Sequence, residues 1–296
     1  TGHTVLRGPW LVGARAVWAV LTILVLVLWG LGTAVLVREP FPDCAEGSCD
    51  PVDFNAADLD LARELDLPTG VLRGALPAFL GVLPGLLFFV IAAVIFWRRS
   101  NDWMALLVSF SLVYIAGLLF TSSDDAVQRA YPGLGPAMSV VNTISFVPLG
   151  TLFYLFPDGR FVPRWTVWVA GSLVAAMLLY DLLPVDVVET VYVVTATALL
   201  GTGIYSQVYR YRRVSVPLQR QQTKWVVFGG LMSMIAIMVV WSIVASIFPP
   251  EEPSASRIYA LLVVGPVLII LLLLIPVSFA ISILRYRLWD IDILVN

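Results

Sequence analysis

The sequence contains two cysteines and one histidine, Cys44, Cys49 and His3. Cysteine and histidine side chains bind metal ions, and they also carry out redox or acid–base chemistry near neutral pH. No other residue type in the sequence combines these properties. The two cysteines enclose a four-residue loop, Ala45–Ser48, and we expect them to form a disulfide if that loop lies on the oxidising side of a membrane. Two free thiols or half of a metal site are the alternatives, although one histidine and one cysteine pair supply too few zinc ligands. A bridge this short would mainly shape a turn.

A catalytic arrangement is absent from the sequence. It contains no HExxH motif and no serine–histidine pattern, so we predict no enzyme activity in this chain and no catalytic, cofactor-binding or metal-binding residue. Asp158 lies in the turn sequence Pro157–Arg160, where proline presets φ and Gly159 accepts a positive φ. We therefore expect a tight reversal there, with Asp158 paired locally to Arg160 or Arg164.

Long apolar runs dominate the chain. Hydrophobic residues make up 59% of the sequence and charged residues 13%, about half the charged fraction of a soluble domain. The runs cover 16–37, 75–97, 103–120, 137–156, 165–183, 188–209, 225–248 and 258–284. Each can cross a bilayer as a helix, the third and fifth only just. Their continuity excludes alternating membrane strands, so the predicted fold is an all-α bundle of about eight transmembrane helices.

The distribution of basic residues predicts the orientation of this bundle. With the N-terminus inside, the inner segments hold thirteen of the 18 basic residues: Arg7, Arg15, Arg98, Arg99, Arg160, Arg164, Arg210, Arg212, Arg213, Arg220, Lys224, Arg285 and Arg287. Lysine and arginine accumulate in cytoplasmic loops. We therefore expect both termini in the cytoplasm and a multi-pass protein of the bacterial cytoplasmic membrane.

The same placement leaves no ionisable side chain near the centre of a predicted span, because Asp181 and Glu189 lie within two residues of the ends of their runs. Ion-coupled transporters usually carry such groups at membrane depth, so the sequence disfavours coupled transport. The predicted organisation is a cytoplasmic N-terminus with the first span (1–37), an acidic outer segment (38–74), a seven-span bundle (75–284) and the start of a cytoplasmic linker (285–296).

A short amphipathic helix is predicted within the outer segment, over about residues 55–66, with Asp53 as its cap and Pro68 after its end. Its apolar face would carry Phe54, Ala57, Leu61 and Leu65. One interpretation is a lid over an external ligand. The other is a helix that lies on the membrane surface or packs on the ends of the spans.

The loop between the sixth and seventh runs is strongly basic. We expect its cationic side chains to face anionic lipid headgroups: Arg210, Arg212, Arg213, Arg220 and Lys224. Nucleic-acid binding would require a folded reading element, and the sequence contains none.

The last run is predicted to transmit a signal. Pro266 and Pro276 each remove a backbone hydrogen bond and favour a kink. Beyond them, apolar residues repeat at alternating spacings of three and four, in a heptad pattern that leaves the membrane: Ile281, Leu284, Leu288, Ile291 and Val295. Either a coiled coil or an amphipathic tail on the inner surface fits this pattern.

Three strings on the predicted inner face resemble a known family. They are LFPDGRFVPRW (155–165), QRQQTKWVVFG (219–229) and RYRLWDIDILVN (285–296). Together with the multi-span layout they resemble the N-terminal membrane region of bacterial sensor histidine kinases of actinobacteria and Chloroflexi, similar to the peptide-pheromone competence kinases of bacilli. The resemblance implies a cytoplasmic dimerisation helix and ATP-binding domain after residue 296, and we expect a homodimer or a larger membrane assembly. His3 lies at the wrong end to be a phosphoacceptor.

Three functional hypotheses follow. The first is a sensory and transducing module of a two-component kinase, whose last helix passes a stimulus to an output domain. The second is a structural or assembly subunit of a larger membrane complex, which fits the absence of catalytic clusters. The third is a facilitator for an uncharged solute.

Overall fold

The computed structural model describes residues 4–38, 56–72, 82–119, 127, 131–178, 185–215, 217–248 and 254–285. These residues form ten α-helices and two π-helical segments, π1 and π2. In chain order they are α1 (Pro9–Arg38), α2 (Ala56–Glu64), α3 (Leu83–Arg99), α4 (Trp103–Leu119), α5 (Gly135–Leu155), α6 (Thr166–Leu178), α7 (Val185–Arg213), α8 (Pro217–Trp225), π1 (Val226–Leu231), α9 (Met232–Ile247), α10 (Ala255–Ala280) and π2 (Ile281–Arg285). A 3-10 turn, Pro132–Leu134, precedes α5.

The prediction of an all-helical fold is confirmed for the described residues, whose one extended pairing is an antiparallel bridge between Val5 and Asp102. Each of the eight predicted apolar runs overlaps a helix. Two helical stretches, Pro9–Val35 and Ala255–Leu284, are long and apolar enough to cross a membrane. Among the others, α5 and α7 have 21 and 29 residues, whereas α4 has only 17 and α6 only 13, against about 20 for a full crossing.

The core lies where α3, α4, α5 and α10 meet. Phe88, Val108, Leu152 and Phe279 are all buried there. A polar chain joins three helices beside this core, because the Trp18 indole donates to Ser109 Oγ at 3.2 Å and that hydroxyl donates to the Ala92 carbonyl at 2.7 Å. Interhelical hydrogen bonds of this kind hold helices together where water is scarce.

The surface of α1 is apolar and open. Trp10, Val12, Val20 and Ile23 each expose more than half of their accessible area, from 57% for Val20 to 79% for Trp10. Soluble proteins rarely expose apolar patches of this extent. The face therefore suits contact with lipid hydrocarbon.

The predicted orientation of α2 is wrong. Ala57 is exposed and Leu65 is 38% exposed, whereas Asp58, Leu59 and Ala62 are buried. The buried face of α2 is the face that carries Asp58, and the predicted apolar face is largely exposed. It ends where Asp66 takes a φ of 55° and the amide of Leu67 donates to the Ala62 carbonyl at 2.9 Å, as in a Schellman cap.

Candidate transmission site on the last helix

The first turn of α10 holds a buried arginine. Ser254 caps the helix and accepts the backbone N–H of Arg257 at 3.2 Å. The Arg257 Nε lies 3.2 Å from Oδ1 and 3.3 Å from Oδ2 of Asp58 in α2, and both side chains have no exposed area. Arg257 Nη1 also donates to the Phe248 carbonyl at 3.0 Å. One guanidinium thus joins α2, the end of α9 and the start of α10.

Apolar contacts surround this ion pair. Ala62 and Leu72 pack against Ile258, with Leu61 and Leu262 at the margin. The packing excludes water from the two charges, which strengthens their attraction and raises the cost of separating them. Helix α2 is therefore fixed to the start of α10 by charge as well as by apolar contact, as in the interpretation that this short helix packs on the ends of the spans.

The other end of α10 packs against two elements. The ring of Phe279 meets the ring of Phe156 edge to face, with centroids 5.7 Å apart. Gly229 of π1 lies against the same turn: a Cβ there would be 3.2 Å from the Leu274 carbonyl oxygen and still closer to the Ser278 side chain. Only glycine permits the backbone of π1 to approach α10 so closely.

The prolines of α10 lie inside one continuous helix. Pro276 is buried beside Ile275 and Phe279, and Pro266 is partly exposed. Four residues after Pro276 the helix ends and π2 begins. Segments of π-helix are uncommon and are frequent at functional sites. Here π1 contains Gly229, and π2 begins three residues after Ser278, the α10 residue that Gly229 contacts.

The segment that carries Phe156, residues 156–165, is clamped by α7. Gln207 Nε2 donates to the Phe156 carbonyl at 3.0 Å, and Ser206 Oγ donates to the Val162 carbonyl at 2.7 Å. Arg210 pairs with the Asp158 carboxylate. The predicted reversal is confirmed, since Gly159 has a φ of 76°, and the peptide bonds before Pro157 and Pro163 are cis.

Two predictions about charge are wrong in this clamp. Arg210, expected among the lipid headgroups, is only 1% exposed and also donates to the carbonyls of Tyr154 (2.7 Å) and Arg160. Asp158, expected to pair with Arg160 or Arg164, pairs with Arg210 instead. Burial lowers the pKa of Arg210, and the Asp158 carboxylate opposes that shift. The position of Arg210 at the end of an apolar helix resembles that of a surface residue, so the sequence alone did not reveal its burial.

The remaining predicted site residues either have exposed or partly exposed side chains or lie outside the part of the chain that the structure describes. Arg212, Arg213, Arg220 and Lys224 are exposed, as contact with headgroups requires, and Leu284 is partly exposed within π2. The others lie outside the described residues: Cys44, Cys49, Leu288, Ile291 and Val295.

Two polar side chains of α7, Thr202 and Gln207, bond across to the neighbouring helix and the segment after it. Thr202 Oγ1 lies 2.6 Å from the hydroxyl of Tyr154, and Gln207 bonds to the backbone of residues 153 and 156. Sequence reasoning missed Asp58, Arg257 and Gly229. Arg257 is the one basic residue between Lys224 and Arg285 in the sequence, and that isolation was the available signal.

No family model, curated protein or solved structure matches the chain.

Proposed function

We propose that the chain is the membrane-embedded sensory and transducing module of a two-component kinase, in which α10 passes a stimulus to a cytoplasmic output domain. The observation that carries this proposal is the pair of contacts at opposite ends of α10. Arg257 is tied to α2 through Asp58 at one end, and Phe279 meets Phe156 at the other. A displacement of α2 would therefore act on one helix that ends at the clamped segment.

The proposed topology has eight spans, with both termini in the cytoplasm of a bacterial cell. The correspondence of eight apolar runs with eight helices and the basic inner segments support it. In this topology α2 and Arg257 lie on the outer face. Phe279, π1, π2 and the 156–165 segment lie at the inner face, where an output domain would follow.

A transducer requires two states that a stimulus can distinguish. The contact between Asp58 and Arg257 can define two such states, because a buried ion pair is either formed or broken. A ligand that moves α2 would release the first turn of α10. We propose that the alternative arrangement of α10 differs at Gly229, where the close approach allows few intermediate positions.

The test is a fusion of a histidine-kinase output domain after Asn296, with phosphorylation measured in native membranes. We expect Asp58→Asn and Arg257→Gln to shift the basal output in the same direction, since both break the same contact. Asp60→Asn is the matched control, because Asp60 pairs with Arg63 in the same helix but its side chain is 70% exposed.

Three outcomes would overturn the transducer proposal. One is a fusion that is phosphorylated but whose basal output stays the same when Asp58, Arg257 or Gly229 is replaced. The second is stable co-isolation of the native chain with a large complex, which would favour an assembly subunit. The third is solute uptake by reconstituted vesicles, which would favour a facilitator.

A further inference from the structure

The segment before α1, Thr4–Gly8, pairs with the turn between α3 and α4, and we call it the strap. The N–H of Leu6 donates to the Asn101 carbonyl at 2.8 Å, and the N–H of Trp103 donates to the Thr4 carbonyl at 3.0 Å. These two bonds flank the antiparallel bridge described above. A pairing of two such short segments is marginally stable by itself, so the strap can open while the helices stay folded.

Local chemistry fixes both ends of the pairing. The Asp102 carboxylate accepts the N–H of Met104 at 3.0 Å and so caps the start of α4. Gly8 takes a φ of 59°, a left-handed conformation that glycine adopts without strain, and Pro9 follows as the first residue of α1. The strap therefore joins α1 through one sharp turn and lies against the first residue of α4.

That first residue, Trp103, extends the contact to the 156–165 segment. Its indole lies directly against Gly159, since a Cβ at this glycine would be 3.0 Å from both Cε2 and Cη2 of the ring and closer still to Cζ2. Gly159 also has a φ of 76°. Both the turn and the ring therefore require glycine at this position.

Three helices thus restrain the 156–165 segment. Helix α7 holds it through Arg210, α10 through Phe279 and α4 through Trp103. The restraint from α4 differs from the other two, because the backbone of Trp103 is itself bonded to the strap. A change in the strap therefore has a short route to the segment.

Helix α1 has its own anchor in the bundle. The ring of Trp18 stacks on the ring of Phe96 with centroids 3.8 Å apart, and the Trp18 indole donates to Ser109. These contacts hold α1 against α3 and α4 whether or not the strap is paired. Opening of the strap would therefore act on the start of α4 rather than on the packing of α1.

We propose that the strap is a releasable lock on the end of the transmission site that lies opposite Arg257. When it is paired, it fixes the start of α4 and holds the Trp103 indole over Gly159. When it is released, the 156–165 segment is free to move against Phe279 of α10. The lock gives α10 a second control, separate from the ion pair in its first turn.

The effect of the lock on an output domain rests on the transducer function proposed above. The coupling between the strap and the 156–165 segment does not, because it follows from the contacts of Trp103 alone. The experiment therefore measures the coupling itself and uses no output domain.

A reversible disulfide tests the lock in the full chain. Val5→Cys and Asp102→Cys are introduced together with Cys44→Ser and Cys49→Ser. The two new cysteines face each other in a non-hydrogen-bonded antiparallel pair, where Cα atoms lie about 4.5 Å apart, within the range of a disulfide. Hydrogen exchange of the purified chain is then measured by mass spectrometry before and after reduction, so that each molecule is its own control.

We expect the oxidised chain to exchange the amides of 156–165 several-fold more slowly than the reduced chain. Residues 254–262, at the other end of α10, should exchange equally in both. Leu6→Pro in the unaltered chain gives the opposite test, because it removes the N–H that is bonded to Asn101. It should make the 156–165 amides exchange several-fold faster.

A further pair of variants identifies the indole as the link. Trp103→Leu, added to the disulfide variant, should abolish the difference between the oxidised and reduced chains at 156–165. Trp97→Leu is the matched control, since this tryptophan is 86% exposed, and it should leave the difference intact.

The proposal is overturned if the disulfide forms and the exchange of 156–165 stays the same. It is also overturned if 254–262 changes as much, which would indicate general stabilisation, and failure of the two cysteines to oxidise would contradict the pairing itself. Because none of these results involves kinase output, failure of the lock and failure of the transducer are distinguishable.

Discussion

Arg257 Nε and the Asp58 carboxylate meet at 3.2 Å across 199 residues of sequence, with both side chains fully buried. Buried pairs of this kind stabilise a structure little compared with apolar replacements, but they are costly to break from one side. The contact therefore makes the position of α2 depend on that of α10.

Loss of either partner should destabilise the protein. Asp58→Asn leaves the Arg257 guanidinium buried without its carboxylate, which costs about 3–5 kcal/mol. We expect a clearly lower Tm of the chain in detergent. Asp60→Asn removes an exposed pair worth about 0–1 kcal/mol and should leave the Tm nearly unchanged. Equal effects of the two variants would contradict the burial of the Asp58 contact.

A double replacement separates charge from packing. In Asp58→Leu with Arg257→Met, no buried charge is left uncompensated, so much of the lost Tm should return. A double variant as unstable as the sum of the single ones would show that the two residues act independently.

The clamp on the 156–165 segment predicts a protease sensitivity. Arg160 and Arg164 are exposed trypsin sites. Arg210 bonds to the Arg160 carbonyl and so holds the segment that links α5 to these two sites. Arg210→Gln loses hydrogen bonds worth about 1.5–3 kcal/mol, which raises the open population about tenfold or more. Trypsin should therefore cleave at Arg160 correspondingly faster in inside-out vesicles.

Arg213→Gln is the control for this cleavage, because Arg213 lies on the same helix with an exposed side chain. Its cleavage rate should match that of the unaltered chain. Faster cleavage in both variants would show that the basic loop as a whole, rather than the bond to Asp158, protects the segment.

The helices were predictable from the sequence because apolar runs longer than 17 residues leave few alternatives in a bilayer. The turn at Gly159 was predictable for a similar reason, since proline and glycine restrict the backbone locally. The hydropathy pattern also predicted that most basic residues lie at or beyond the ends of helices. These signals all act over a few neighbouring residues.

The contacts that define the candidate site depend on tertiary packing, and apart from the isolation of Arg257 the sequence carried no signal of them. Nothing near Arg210 distinguishes it from Arg212 and Arg213, yet its helical phase points it at the Asp158 carboxylate. Likewise Asp58 appeared to belong to the polar face of α2, and the charge of Arg257 reverses that assignment.

Gly229 should tolerate no side chain. The Cβ of Gly229→Ala would press on the Leu274 carbonyl and the Ser278 side chain, and overpacking of this kind costs about 1–3 kcal/mol. We expect a lower Tm and a shifted basal output of the kinase fusion. Ser278→Gly removes the nearer obstacle and should partly restore both.

Gly171→Ala gives the matched comparison, because a Cβ at Gly171 meets no atom within 4 Å. There the higher helix propensity of alanine, about 1 kcal/mol, should raise the Tm slightly. If Gly229→Ala also raised the Tm, the close approach of π1 to α10 would be refuted.

The short helix α4 makes the strictest test of the eight-span topology. An α-helix rises about 1.5 Å per residue, so the 17 residues of α4 cover less than the hydrocarbon thickness of about 30 Å. Alkaline phosphatase fused after Ser100, Tyr131 and Arg160 should be inactive, active and inactive in turn, because it folds only outside the cytoplasm. Equal activity after Ser100 and Tyr131 would show that α4 does not cross. The basic residues after α5 and α7 would then lie on the outer face, against the charge rule that predicts the orientation.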